Sequence, residues 1–269
     1  MKSIHLIPVF LMLLIACNPG TNKKGTTDTQ NSETTETEEW IQLFNGKDLV
    51  DWAIKINKYP LNENYNNTFR VENGLMVTRY DEYEKFDAEY GHIFYKTPYS
   101  HYKLRVEYRV VGEQVPGGAG WALRNSGVMF HSQSPESMLV NQEFPVSIEA
   151  QFLGGTGEGE RPTGNLCTPG THVVMNDELV TRHCTSSTSE TYHGDEWVQF
   201  ELVVYGDSII HHIVGGDTVL TYSKPQIGGD RPEEFPLADG TPLNSGYIAL
   251  QAESHPYEFR KVELLDLSK

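Results

Sequence analysis

The sequence predicts an all-β sandwich of two antiparallel sheets, and three observations predict it. Short segments alternate apolar and polar residues, as half-buried strands do. The composition holds 14 Tyr, 4 Trp and 24 Gly in 269 residues, which suits strands joined by tight turns. No amphipathic segment reaches the roughly twelve residues of an ordinary helix, and no solenoid or propeller repeat is present.

The elements follow in order. Lys2 precedes an apolar run from Ile4 to Ala16 that is too short and interrupted for a stable membrane helix. It ends in Leu14-Ile15-Ala16-Cys17, which resembles a bacterial lipobox. That resemblance implies removal of residues 1–16, diacylation of Cys17 and a lipid anchor on a membrane of the bacterial cell envelope, at the periplasm or the cell surface. The alternative is an ordinary signal peptide with an incidental cysteine. Residues 17–39 are polar and read as a flexible tether. The folded domain is expected over 40–269, a length one all-β unit can fill.

Phe69-Arg-Val-Glu-Asn-Gly-Leu-Met-Val-Thr78 is a hairpin signal, with Asn73-Gly74 suited to a type I′ turn. Tyr102, Leu104, Val106, Tyr108 and Val110 alternate with charged residues as a half-buried strand. Further strands are expected over Ser126–His131, Val146–Phe152 and Val198–Val204. Ile209–Val214 should pair with Val219–Tyr222 across Gly215-Gly216-Asp217, and Ser245–Ala252 and Phe259–Leu267 close the domain. The glycine-rich stretches Gly112–Gly120 and Gly154–Gly164 are expected to rim a ligand-binding face.

A formal net charge of −16 argues against a nucleic-acid partner, because phosphate binding needs a basic footprint. With Cys17 lipidated, Cys167 and Cys184 remain in an oxidising compartment, and a disulfide is the natural pairing. The alternative is a zinc site of Cys167, His172, His183 and Cys184, although that spacing matches none of the common zinc patterns.

Ser147-Ile-Glu-Ala-Gln-Phe-Leu-Gly154 carries the sharpest functional signal. Ile148, Ala150 and Phe152 suit a core, while Ser147, Glu149 and Gln151 project from the other face. The segment resembles the active strand of laminarinase-type glucanases, which carries acids at all three outward positions. Retaining glycoside hydrolysis needs two carboxylates about 5–5.5 Å apart, and this strand supplies one. An ordinary retaining glucanase is therefore disfavoured by Ser147 and Gln151.

Several pieces in order carry a wider resemblance. Leu43-Phe-Asn-Gly-Lys-Asp-Leu49 with Trp52 opens the domain, followed by Phe69-Arg-Val-Glu-Asn-Gly-Leu75 and Asn125-Ser-Gly-Val-Met-Phe-His131. Glu149-Ala-Gln-Phe-Leu153 sits in the middle, and Gly246-Tyr-Ile-Ala-Leu-Gln251, Glu253-Ser-His255 and Glu258-Phe-Arg-Lys-Val262 close the set. From about Trp40 to Leu267 the chain resembles the 3-keto-disaccharide hydrolase domain family. The resemblance implies a concanavalin A-like jelly roll, and action on sugars whose 3-hydroxyl has been oxidised to a ketone. It also implies a partner sugar oxidoreductase that makes the ketone. The loop from Asn165 to Cys184 looks like one branch of the family rather than its common core.

A ketone at C3 acidifies the proton on C2. A single base can remove it, the enolate can expel the C1 substituent by β-elimination, and water can then add to the unsaturated product. Such a site needs a base, a group that stabilises the enolate oxygen and a donor for the leaving oxygen. Glu149 and His131 are the expected catalytic pair, His131 because imidazole titrates near neutral pH. Asn125, Ser126, Gln151 and Gln251 are expected to bind sugar hydroxyls. Glu253, His255 and Arg260 cluster behind them, with Arg260 as a positive charge for the enolate and Trp121 as a stacking platform. A divalent metal ion held by Glu149 and one or more histidines is the alternative Lewis acid. The competing functional reading is a non-catalytic carbohydrate-binding lipoprotein.

Overall fold

The computed structural model describes residues 38–268. The leader over 1–16, Cys17 and the tether up to Thr37 lie outside them. The first strand, Ile41–Gln42, follows Trp40, whose ring lies 4.2 Å beneath the Arg105 guanidinium.

Two antiparallel sheets face each other as a concanavalin A-like jelly-roll sandwich. The larger runs Glu178–Val180, Thr171–Met175, Asp217–Ile227, Ile209–Val214, Val198–Tyr205, His101–Val110, Tyr257–Asp266, Leu75–Thr78 and Phe69–Glu72 in spatial order, with Ile41–Gln42 also paired to Tyr257–Asp266. The smaller runs Cys184–Thr185, Asn165–Cys167, Ile148–Leu153, Asn125–Ser132, Tyr247–Ala252, Gly91–Tyr95 and Trp52–Ile56. Among the described residues the helical elements are three short 3₁₀ turns.

Alternation explains the core. Leu104, Val106, Tyr108, Phe200 and Leu202 on the larger sheet meet Val128, Phe130, Ile148, Ala150 and Phe152 on the smaller, all at most 1% exposed. Tyr108 stacks on Phe152 with centroids 4.0 Å apart. Each fully buried side chain of this size contributes about 1.5–3 kcal/mol. Asn73 and Gly74 take φ of 51° and 81°, so the first hairpin turns through the left-handed region as its sequence predicts. His212, one of a His-His pair, is wholly internal and bonds Gly164 O at 2.8 Å and the Tyr222 hydroxyl at 2.7 Å.

The expected strands stand with shifted ends, the Asp217–Ile227 strand running several residues past Tyr222. The Asn165–Cys184 stretch is not a plain loop. It leaves the smaller sheet at Cys167, forms the Thr171–Met175/Glu178–Val180 hairpin on the larger sheet, and returns at Cys184. Cys167 and Cys184 are directly opposite in register and joined by a disulfide.

Candidate active site

The face of the smaller sheet turned away from the core sorts into two files of side chains. One file reads Cys167, Glu149, Met129, Ala249, Phe94, Ala53 across six strands. Its right-hand members, with Met138 from the loop after Asn125–Ser132, form a small apolar cluster. The next file holds Asn165, Gln151 and Gly127 on one side and Gln251, His92 and Lys55 on the other. This polar file is the floor of a site, and the 133–147 loop folds over part of it. Lys55 Nζ holds that loop by donating to Val140 O at 3.0 Å.

A cavity of about 320 Å³ opens at the left of these files, lined by Trp121, Asn125, Phe144, Glu149, Gln151 and Glu253, with Cys167, Pro169, His183 and Cys184 as its far wall. Glu149 is 6% exposed and Glu253 3%. Burial pushes the Glu149 carboxyl up to about 8. Glu253 is also pushed well up, first by burial and then by the Glu149 charge. Glu149 Oε1 and Glu253 Oε2 have no hydrogen-bond partner in the protein, and nor has either polar atom of Gln251 or either ring nitrogen of His92. Buried polar atoms are rarely left unpaired, so this concentration marks where a polar ligand belongs. Two carboxyl groups raised together on one cavity cannot both ionise readily, so one can serve as base while the other keeps a proton to donate.

The structure brings together Glu149, Glu253, Asn125, Gln151 and Trp121 on this cavity. Gln251 lies beside them in the polar file. Trp121 is 54% exposed and stacks on Tyr90 at 5.5 Å, so one face of the indole is braced while the side chain stays open to a ligand. Asn165 donates to Gln151 Oε1 at 3.1 Å and fixes that amide.

Four expected residues lie elsewhere. His131 follows a register shift between Tyr247 and Ala249, which inserts an extra residue on its strand, and has φ of 45°. The bulge turns its ring away from Glu149, towards Gly206 O at 3.1 Å, and into a different cavity. Burial holds its imidazole down at about 4. Arg260 sits on the larger sheet, paired with Glu107 and lying 4.5 Å over the Trp197 ring, so it brings no charge to the cavity. Ser126 points to the core side and donates to Gln251 O at 2.8 Å, tying two strands rather than lining the site. His255 is buried and held down at about 4 by burial, with the Arg124 charge next, and is not among the lining residues. The glycine-rich stretches expected as rims line other surfaces; residues Phe144, Pro169 and His183 form this one.

Sequence reasoning passed over His92, a fully buried residue of the polar file whose two ring nitrogens have no partner and which, like His255, is not among the lining residues. Gly91-His-Ile-Phe-Tyr95 is buried at every position, so no polar alternation marks it. The sequence places Glu253 with His255 and Arg260, and only the fold sets it on the cavity of Glu149. The donor atoms of Cys167, His183 and Cys184 lie within 4.8 Å of one another, a spacing able to hold a metal ion. The two sulfurs are bonded to each other at 2.05 Å, so only the reduced pair would offer thiolates. Among the described residues, no such three-donor group includes Glu149.

The jelly-roll sandwich thus carries an acid-lined cavity on its smaller sheet. The fold is shared with two candidate glycosyl hydrolases from Parabacteroides distasonis. One is 19% identical with a TM-score of 0.54, covering 86% of this chain and 95% of that one. The other is 17% identical with a TM-score of 0.51, covering 85% and 100%. No curated protein sequence matches. The chain belongs to the 3-keto-alpha-glucoside-1,2-lyase-like domain family, whose model matches residues 39–265. Family and fold are those expected of an enzyme that processes 3-keto-glycosides.

Proposed function

We propose that this protein cleaves 3-keto-glycosides by elimination, with Glu149 as base and Glu253 as acid. The observation that carries the reading is the buried carboxyl pair on one cavity, both carboxyls raised by burial. Glu149, as the carboxylate, takes the proton from C2 of the keto sugar. The C2–H electrons form the enolate double bond, which expels the C1 oxygen as the C1–O bond breaks. Neutral Glu253 protonates that leaving oxygen. Water then adds across the new double bond, its hydroxyl to C1 and a proton returning to C2, so the net result is hydrolysis. The unpaired amide of Gln251 supplies a donor for the enolate oxygen, and Asn125 Oδ1 accepts from a ring hydroxyl, in a site where burial strengthens such bonds. Trp121 carries the apolar face of the ring. Were a divalent ion bound here, Glu149 and Glu253 would be the residues to hold it, and it would supply Lewis acidity.

The chain works, in this reading, as a lipoprotein held through Cys17 on a membrane of the bacterial cell envelope. A sugar oxidoreductase supplies its ketone.

The test is release of a chromogenic aglycone from a 3-keto-glucoside and from its unoxidised parent, with and without chelator. Release from the keto sugar alone is expected. Release from the parent would replace elimination with ordinary retaining hydrolysis by the same two acids. Release from neither would leave a carbohydrate-binding protein. Loss of release on chelation would add the cation to the site.

A further inference from the structure

We infer that the cavity lined by His131 is a second binding site, separate from the acid-lined one, and that it takes a small neutral apolar molecule carrying a hydroxyl, of the phenol class. This site is independent of the elimination chemistry.

His131 is an outlier in its own strand. It is the last but one residue of Asn125–Ser132, is 2% exposed, and has φ of 45°, a region that side chains other than glycine rarely adopt. Backbone held in such a state is found most often where a protein binds or reacts. Its ring Nε2 lies 3.1 Å from Gly206 O, and a carbonyl only accepts, so Nε2 carries the ring proton. Burial keeps the imidazole neutral at ordinary pH, which leaves Nδ1 with a free lone pair. Nδ1 has no partner in the protein. A buried acceptor left so is costly, and a ligand hydroxyl would satisfy it.

The ring lines a cavity of about 340 Å³ that shares no lining residue with the cavity of Glu149 and Glu253. Leu139 and Val146 on one side and Phe235, Leu237 and Leu243 on the other give it apolar walls. The polar side chains among them are largely spent on the protein itself. Gln133 Oε1 accepts from Gln142 Nε2 at 2.9 Å and from Val146 N at 2.8 Å, and Gln133 Nε2 donates to Ser137 Oγ at 3.0 Å. Gln142 Oε1 accepts from Leu139 N at 3.1 Å, and Ser132 Oγ donates to Gln133 O at 3.1 Å. Among the residues that line the cavity, His131 Nδ1 is the buried side-chain atom left unpaired.

That pattern selects the ligand. A carboxylate has no donor for Nδ1, and an ammonium would bury a charge. A sugar would turn several hydroxyls against leucine and phenylalanine, each unpaired. A phenol brings one donor on an apolar ring, and its rigidity keeps the entropic cost of binding low. The volume lies at the small end of ligand sites and suits a molecule of that size.

The test is calorimetric titration of the full chain with 4-propylphenol and with 4-propylanisole, whose methyl ether keeps the body and removes the donor. The phenol is expected to bind about five- to tenfold more tightly, the value of one net hydrogen bond. His131→Phe keeps a buried ring without the acceptor and should level the two affinities, with a thermal melt to show that it folds. Leu237→Trp fills the cavity from an exposed position and should abolish binding of both, whatever the fate of the first variant. Trp121→Ala should leave the phenol affinity unchanged, because Trp121 belongs to the other cavity. No binding of the phenol, equal affinities for phenol and ether, binding that survives Leu237→Trp, or binding lost in Trp121→Ala would overturn the site.

Discussion

The carboxylate of Glu149 lies across Gly127 of the neighbouring strand, and a Cβ on Gly127 would stand 2.8 Å from Glu149 Oε1. The same Cβ would lie 2.9 Å from the Ala150 carbonyl, so the crowding involves fixed backbone as well as a side chain. Gly127 thus makes the place in which the base sits. Gly127→Ala should cut kcat/KM by about 10²-fold, since displacing a catalytic group by an ångström costs that much. Steady-state kinetics on the keto-glucoside, beside a thermal melt, separates displacement from unfolding. Unchanged kinetics would mean that Glu149 is not held where it acts.

Glu149→Gln should lower kcat by 10²–10⁴-fold, the usual contribution of an acid–base group. Affinity for the keto sugar should change little, because glutamine keeps the shape and the hydrogen bonding. Glu253→Gln should slow substrates with poor leaving groups most and spare an activated aryl aglycone, which needs no proton. An equal loss on both substrates would remove Glu253 from the acid role.

The pH dependence has a definite sign. The folded Glu149 carboxyl titrates near 8, against an ordinary value of 4.5. Between those two values the folded state keeps a proton that the unfolded state has lost. Stability therefore falls as pH rises from about 4.5 to 8, by up to about 1.4 kcal/mol per pH unit for this group. Melting temperatures across that range should decline, and less steeply in Glu149→Gln. Activity runs the other way: kcat/KM should climb through the ionisation near 8, because the base must lose its proton to act. A flat stability profile in both proteins would contradict the burial of this carboxyl.

Cys184→Ser tests the far wall. The disulfide closes a 17-residue separation, worth about 3 kcal/mol in the chain-entropy model. The variant should melt at lower temperature. Cys167 stands directly opposite Glu149 in register, so loss of the staple should also raise KM by loosening the His183 side of the cavity. A melt unchanged under reducing conditions would show that the hydrogen bonds of the crossover suffice.

Trp121→Ala should raise KM several-fold with kcat nearly intact, since stacking on an exposed indole is worth about 0.5–1.5 kcal/mol. A fall in kcat alone would argue that the indole orients the reacting bond instead.

The sequence by itself determined the sandwich, the outward aim of Glu149 and Gln151, the hairpin at Asn73-Gly74 and the pairing of Cys167 with Cys184. Each follows from local chemistry: the two-residue pleat, the left-handed turn that Asn-Gly accepts, and the redox setting of two spare thiols. Only the tertiary structure decided which groups meet. Glu253 comes to the cavity of Glu149 because it directly follows the Tyr247–Ala252 strand, which lies beside Asn125–Ser132, a neighbour relation no local pattern encodes. His131 leaves the site because one bulged residue reverses its face, although simple alternation from Met129 sets it beside Glu149. Arg260 goes to the other sheet altogether. His92 enters through a strand buried on both sides, where polarity has no period to read. Alternation fixes the face of each residue within its own strand, whereas strand order, register and bulges are settled by all the strands packing at once.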